Sequence, residues 1–410
     1  MTNPSRLNSS IAQSIHHLDG AVRHDISSED HVDRGQLQSL IILFKQRPVL
    51  VSRMRWVAVL LIAMLLVSAG CDNPEPKVEA VPISPNSFGT SSKTPRFVYV
   101  ATNSATSGIA MYDVNASTGA LTSLGTKTGL TPYWLAVDPA GQYLYAATSG
   151  NIYGYTINAS TGALTLINSW AGGASGTSSI AVDHTGSYAF ESTSGSFNLL
   201  SYQILGGGSL NSLSNYFPSG NQIVTTSPTG SYLILPDSTG IHSYSISGAG
   251  ALTSIGSQTI SGVATQAVFD PTGIYVYTAT TVGNIDAFSY SNGNLSVLGT
   301  ATGSSTSTGL AVDGSGKFLY VANTGGSSIS YFPLASGVPS GTANTSTPGY
   351  SPRFLASEPT GNFVYATASF SVNGYLMGFQ INASTGALTQ LFTPISLGSG
   401  SPSGLVVVSY

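Results

Sequence analysis

The chain has 410 residues, of which only 7% are charged, against roughly 25% in an average soluble domain, while 47 are glycine and 21 tyrosine. Its formal net charge is −4, and beyond Cys71 it holds six basic and twelve acidic residues, too few cations and too scattered for a nucleic-acid footprint. With few helix formers and many turn and strand formers, the composition argues against a helical body and predicts an all-β one.

In chain order, residues 1–53 are long for a leader, and Met54 opens a compact signal by itself. The expectation is that 1–53 is either an extension upstream of the true start or a cytoplasmic tail, and that its four histidines (His16, His17, His24, His31) are not a metal site. Residues 54–71 read as a secretory signal. Arg53 and Arg55 stand before an apolar run from Trp56 to Val67, and small Ser68, Ala69 and Gly70 precede Cys71. The run is shorter than the ~20 residues a spanning helix needs. V-S-A-G-C resembles the bacterial lipobox, with Ser68 where leucine is usual, and the resemblance implies that Cys71 becomes the lipidated first residue of an exported, membrane-anchored protein, periplasmic or at the cell surface. Cys71 is the only cysteine, so no disulfide forms within one subunit. Residues 72–95, rich in proline, serine and asparagine without apolar periodicity, read as a flexible tether.

From residue 96 to 410 the chain repeats. A turn followed by an aromatic strand recurs as "PRFVYVATN", "DPAGQYLYAAT", "DHTGSYAFEST", "SPTGSYLILPD", "DPTGIYVYTAT", "DGSGKFLYVAN" and "EPTGNFVYATA". The first strand aromatics, Phe97, Tyr143, Tyr188, Tyr232, Tyr275, Phe318 and Phe363, lie 46, 45, 44, 43, 43 and 45 residues apart. Seven units of that length predict a seven-bladed β-propeller of four-stranded blades. In the second unit "WLAVD", "YLYAAT", "NIYGYTI" and "ALTLINS" are the four strands. Asp-Pro-x-Gly suits a type I turn between the first two, because proline presets φ and the acid side chain can bond the backbone ahead. "NASTG", written three times from Asn115, Asn158 and Asn382, is the hairpin between the last two. The first unit lacks an opening strand, and the chain ends on "SGLVVVSY". Leu405–Ser409 is therefore expected to enter the first blade as its innermost strand and close the ring, which removes two open sheet edges.

This topology puts both regular turns on one face and the varied loops ("GLTPYW", "ESTSGS", "PDSTG", "TTVGN", "TGGSS", "TPGYSPR") on the other, where binding residues tend to lie. The candidates there are Arg353, at the start of an inner strand and suited to a carboxylate or phosphate; Glu191 and Asp237, each ending a second strand; and Tyr133 and Trp134 as an apolar or stacking wall. Each has a plainer reading as an internal pairing or packing residue. His184 replaces the proline of a regular turn, and His242 lies near a third strand. The body has no pair of histidines at metal spacing, no G-x-S-x-G elbow and no phosphate loop, so no metal or cofactor is expected.

The repeats "FVYVATN", "YLYAAT" and "FLYVANTGGSSIS", with their "TGALTSL" hairpins, resemble the lactonase-type seven-bladed propellers, which include bacterial 6-phosphogluconolactonase, and the related YVTN-repeat surface proteins. The resemblance covers residues 96–410 and implies the propeller fold and a lactone-opening activity. Its typical Pro-Arg-His before an inner strand is matched by Pro352 and Arg353, with Phe354 in place of the histidine and no glutamate downstream. Its His-Pro-His slots read "GTSS" at Gly176 and "GNQI" at Gly220. Two functions are therefore expected. One is a non-catalytic module binding a protein, glycan or small molecule through the irregular face. The other is a lactone or ester hydrolase outside the cytoplasm, Arg353 holding the substrate and Glu191 or Asp237 acting as base.

Overall fold

The structure, a computed structural model, describes residues 93–104, 108–173, 178–193, 198–218, 223–304, 306–341 and 344–410. The extension, the signal with Cys71 and the tether up to residue 92 fall outside these residues, as do the first half of the "GTSS" slot and all of the "GNQI" slot but Ile223. Seven antiparallel sheets form the body, each built from consecutive strands except the first, as the period requires. In blade 1 the strands Pro95–Ala101, Ile109–Val114 and Leu121–Lys127 are joined by Leu405–Ser409, which pairs Val98 with Val407, Tyr99 with Val406 and Val100 with Leu405. The closing strand expected from "SGLVVVSY" is thus in place.

Burial follows position in the blade. The second strand of each sheet is enclosed by the blades on both sides, so Phe97 through Ala101 are all under 1% exposed, whereas Leu121–Lys127 at the rim is mostly exposed. The core is therefore a set of seven wedges between neighbouring blades. Phe97, Tyr99, Leu135, Leu144 and Tyr155 fill the wedge between blades 1 and 2, and Val98, Val100, Tyr365 and Leu376 the one between blades 7 and 1.

The Asp-Pro-x-Gly turns work through their first side chain. Asp183 accepts hydrogen bonds from the Ser187 and Tyr188 amides at 2.9 and 2.8 Å and from Thr185 N at 3.2 Å. Asp270 and Asp313 repeat the pattern, and Glu358 reaches the amides of Thr360, Asn362 and Phe363 with its longer side chain. Five acids of this charge-poor body are thereby spent as turn closers, counting Asp138.

The thrice-written hairpin joins blade to blade. In "NASTG" the asparagine Oδ1 accepts two amides ahead, as Asn158 does from Ser160 and Thr161, both at 3.0 Å, and Gly162 closes the turn at φ +69°. The Gly162 carbonyl then accepts the Tyr99 hydroxyl of the preceding blade at 2.8 Å. Tyr145 to Gly208, Tyr320 to Gly386 and Tyr365 to Gly119 make the same bond at 2.9 Å. Beside it lies the first aromatic of the same strand: a Cβ on Gly162 would stand 2.7 Å from the Phe97 ring, and on Gly119 2.5 Å from Phe363.

Two departures concern the outer strands. In blades 6 and 7 they are interrupted, as Val338–Pro339 with Asn344–Ser346 and Leu388–Gln390 with Ile395–Ser399; Pro394, lacking an N–H, lies in the second gap. In blades 1 to 5 the outer strand holds one charge, Lys127, yet each carries a β-bulge: Tyr112 faces Ser123 and Met111 faces Gly125, leaving Leu124 extra, and Ile167, Leu213, Ile255 and Leu298 recur in that role.

Candidate functional site

Three consecutive blades open their inner strands alike: Ser351-Pro352-Arg353-Phe354-Leu355 in blade 7, Ser401-Pro402-Ser403-Gly404-Leu405 in blade 1 and Thr131-Pro132-Tyr133-Trp134-Leu135 in blade 2. The ladders confirm the register, since Leu355, Leu405 and Leu135 face Ala366, Val100 and Ala146 at the same level. Arg353, Ser403 and Tyr133 thus share one slot, and Phe354, Gly404 and Trp134 the next, where the inner strands reach the irregular face.

Arg353 is the extra residue of a β-bulge between Pro352 and Phe354, so it leaves the alternation of the ladder. Its backbone is fixed by blade 6, where the Thr308 hydroxyl donates to the Arg353 carbonyl at 2.8 Å and Thr324 donates to that of Pro352 at 2.8 Å. The side chain is half-buried, and its Nε is enclosed without a hydrogen-bond acceptor. Burial bears on the guanidinium and pushes its pKa down, and no carboxylate lies within ion-pair distance among the described residues. It is a placed but uncompensated cation.

Trp134 meets Phe354 edge to face, ring centroids 5.0 Å apart at 86°. They meet across blade 1 because position 404 is glycine: a Cβ there would stand 2.9 Å from the indole. Gly404 N donates to the Tyr133 carbonyl at 3.2 Å, and the Ser403 hydroxyl to that of Pro132 at 3.3 Å. The structure therefore brings Arg353, Trp134 and Tyr133 to one mouth.

It does not bring the two acids there. Glu191 is fully buried between blades 2 and 3, where it accepts the Gly173 amide and the Tyr202 hydroxyl, both at 3.0 Å. Burial first, and then the adjoining Glu191, hold the Tyr202 phenol far above its ordinary range. Asp237, 1% exposed, closes the loop after its strand, accepting Thr239 N and Oγ1 at 2.6 Å and Gly240 N at 3.0 Å, with His242 Nε2 3.1 Å away. Burial pushes its carboxyl up, but the Thr239 and His242 contacts outweigh this and leave it below the usual carboxylate range. Thr102 and Thr148 close the corresponding loops of blades 1 and 2 through their hydroxyls.

Sequence reasoning passed over Asp286, in the third strand of blade 5. One carboxylate oxygen accepts the Thr300 hydroxyl at 2.6 Å, and the other is buried without a partner. An acid inside the apolar run "NIDAFSYS" was its only signal. His184 stays in its turn, half-buried. A cleft of about 460 Å³ opens at the opposite face of blade 1, beside Arg96, but that cation is already paired with Asp113 at 3.1 Å. The unpaired Arg353 therefore makes the better site. Among the described residues no three of His, Cys, Asp and Glu cluster to hold a metal.

Seven four-stranded blades, the first closed by the C-terminal strand, define a seven-bladed β-propeller. The chain belongs to the lactonase seven-bladed β-propeller family, whose model matches residues 97–407. Among solved structures it is similar to a candidate 6-phosphogluconolactonase of Bacteroides uniformis (20% identity, 77% of this chain, 100% of that one, TM-score 0.69). It is likewise similar to the periplasmic gluconolactonase of Pseudomonas aeruginosa (20% identity, 76% and 99%, TM-score 0.66). At such identities the likeness is one of fold. No curated protein matches the chain.

Proposed function

We propose that this protein opens a lactone at the Arg353 mouth. The observation that carries the reading is the half-buried guanidinium, fixed through its backbone by Thr308 and left without a carboxylate partner. Water adds to the ring carbonyl carbon and passes its protons to bulk water as the acid forms, and the oxyanion that develops is stabilised by the guanidinium in a partly dehydrated setting. The ring C–O bond breaks, the leaving oxygen takes a proton from water, and the product carboxylate pairs with Arg353. Membership of the lactonase family and the gluconolactonase named among its structural neighbours support this over pure binding.

A second reading is favoured by one observation. Glu191 and Asp237, the acids that could serve as base, are buried and engaged away from the mouth. On that reading the same mouth binds a carboxylate or a carbonyl compound without turnover. Acid release from a panel of lactones by the purified protein separates the two. Release that Arg353→Gln abolishes, with an unchanged melting curve, supports hydrolysis; no release, with carboxylate binding that the same variant abolishes, supports the second. Loss of neither in the variant refutes both. We further propose export with lipidation at Cys71, which rests on the signal and lipobox pattern; a Cys71→Ala variant still labelled by radioactive palmitate would refute it.

A further inference from the structure

Among the described residues, several polar side chains at the irregular end of the inner strands are engaged within the ring. Ser179 accepts the Val224 amide at 3.0 Å and Gln266 the Leu310 amide at 2.9 Å, each bond running from one blade to the next. Thr308 and Thr324 donate to the carbonyls of Arg353 and Pro352, and Ser403 to that of Pro132. Polyhydroxy ligands need donors and acceptors free to pair with several hydroxyls, and each polar group turned to its own backbone leaves fewer to exchange for their hydration. Beside them lies an apolar pair, the Trp134 and Phe354 rings in contact, packed tightly over Gly404 and Gly309, which leave no space for a side chain of their own.

Charge limits the ligand in the same way. The described residues hold Lys93, Arg96, Lys127, Lys317 and Arg353 as fixed cations. Arg96 is paired with Asp113, and Lys93 lies beside it on the first strand's approach. Lys317 belongs to the regular turn closed by Asp313, on the opposite face, and Lys127 ends an outer strand at the rim. A phosphate monoester carries about −1.5 to −2 at neutral pH and calls for more than one cation. The mouth has one.

We propose that the site selects a lactone, and the hydroxy acid it yields, bearing a single charge or none and an aliphatic or aromatic body that lies against Trp134 and Phe354, and that it discriminates against sugar acids and their phosphates. Trp134 and Phe354 are then specificity residues. This rests on the reading of the Arg353 mouth as the ligand site.

The test is calorimetric titration of the purified protein with 3-phenylpropionate, gluconate and 6-phosphogluconate. The expected result is binding of 3-phenylpropionate at least about tenfold tighter than either sugar acid, the worth of one well-placed aromatic contact. Trp134→Ala should remove that preference, and Arg353→Gln should remove binding. Phe354→Leu, which keeps an apolar side chain in the core, serves as a second variant if Trp134→Ala does not fold, and should narrow the preference. Equal or tighter binding of 6-phosphogluconate, or a ranking unchanged in a folded Trp134 or Phe354 variant, overturns the selectivity while leaving the site in place. If none of the three binds, the ligand site itself is overturned.

Discussion

Removing one hydroxyl group at a time separates tyrosines that join blades from one that does not. Tyr320, under 1% exposed, donates to the Gly386 carbonyl of the next blade at 2.9 Å. Tyr277 occupies the same position in blade 5, equally buried, but its hydroxyl has no partner. The reason lies in the hairpin it faces. Blade 6 turns through Ser336 and Gly337, both with positive φ (50° and 78°), between paired Ala335 and Val338, a two-residue loop where blade 7 has "NASTG". Tyr320→Phe deletes a buried hydrogen bond and leaves a carbonyl unsatisfied, a loss of about 1–2 kcal/mol. Tyr277→Phe deletes only an unsatisfied hydroxyl, so its cost should be near zero and its sign favourable by up to about 1 kcal/mol. Urea denaturation followed by circular dichroism, with m-values compared, measures both. If Tyr277→Phe costs as much as Tyr320→Phe, the hydroxyl bonds between blades are not what distinguishes the two positions and the reasoning fails.

Two further predictions concern closure and acid. Deleting residues 405–410 removes the paired strand with buried Leu405 and Val408 and the Tyr410 hydroxyl bond to the Gly141 carbonyl, and exposes the hydrogen-bonding edge of Pro95–Ala101. Two buried side chains and a strand of hydrogen bonds are worth several kcal/mol against a total stability of about 5–15. The truncated chain should show no cooperative melt and rapid proteolysis, and a parent-like melting curve would contradict ring closure. Burial raises the Asp286 carboxyl, with the Thr300 hydrogen bond opposing, so Asp286 favours the fold while protonated and that contribution is lost as pH rises through its folded value. Asp286→Asn, neutral throughout, should then be more stable than the parent at neutral pH, with the advantage gone below about pH 4. Equal urea midpoints at both pH values would refute the assignment.

The blades, their order and their closure could be read from the sequence because each signal is local: an Asp-Pro-x-Gly turn, an aromatic strand and a glycine hairpin recurring at a fixed spacing. What joins the blades is not local. Tyr99 and Gly162 are 63 residues apart and Tyr365 and Gly119 246, so the third purpose of the repeated phrase, to present a carbonyl to the neighbouring blade, had no signature beyond the tyrosine itself. Arg353 stood out by its residue type, but the bulge that frees it from the ladder is a property of pairing. Glu191 and Asp237 were placed at strand ends on the irregular face. Sequence alone could not show that Gly172 and Gly173 close over the first, or that the second fills a position where Thr102 and Thr148 fasten a loop.

The kinks at Leu124, Ile167, Leu213, Ile255 and Leu298 bear on how such molecules behave when crowded. A rim almost without lysine or glutamate would ordinarily invite a second chain to add its strand, and from there a fibre. An outer ladder broken by a bulge in blades 1 to 5 and by a gap in blades 6 and 7 offers an incoming strand only a few residues of matching backbone on either side of the break. Copies packed densely can thus brush past one another without knitting together, even with a surface that carries so few charges.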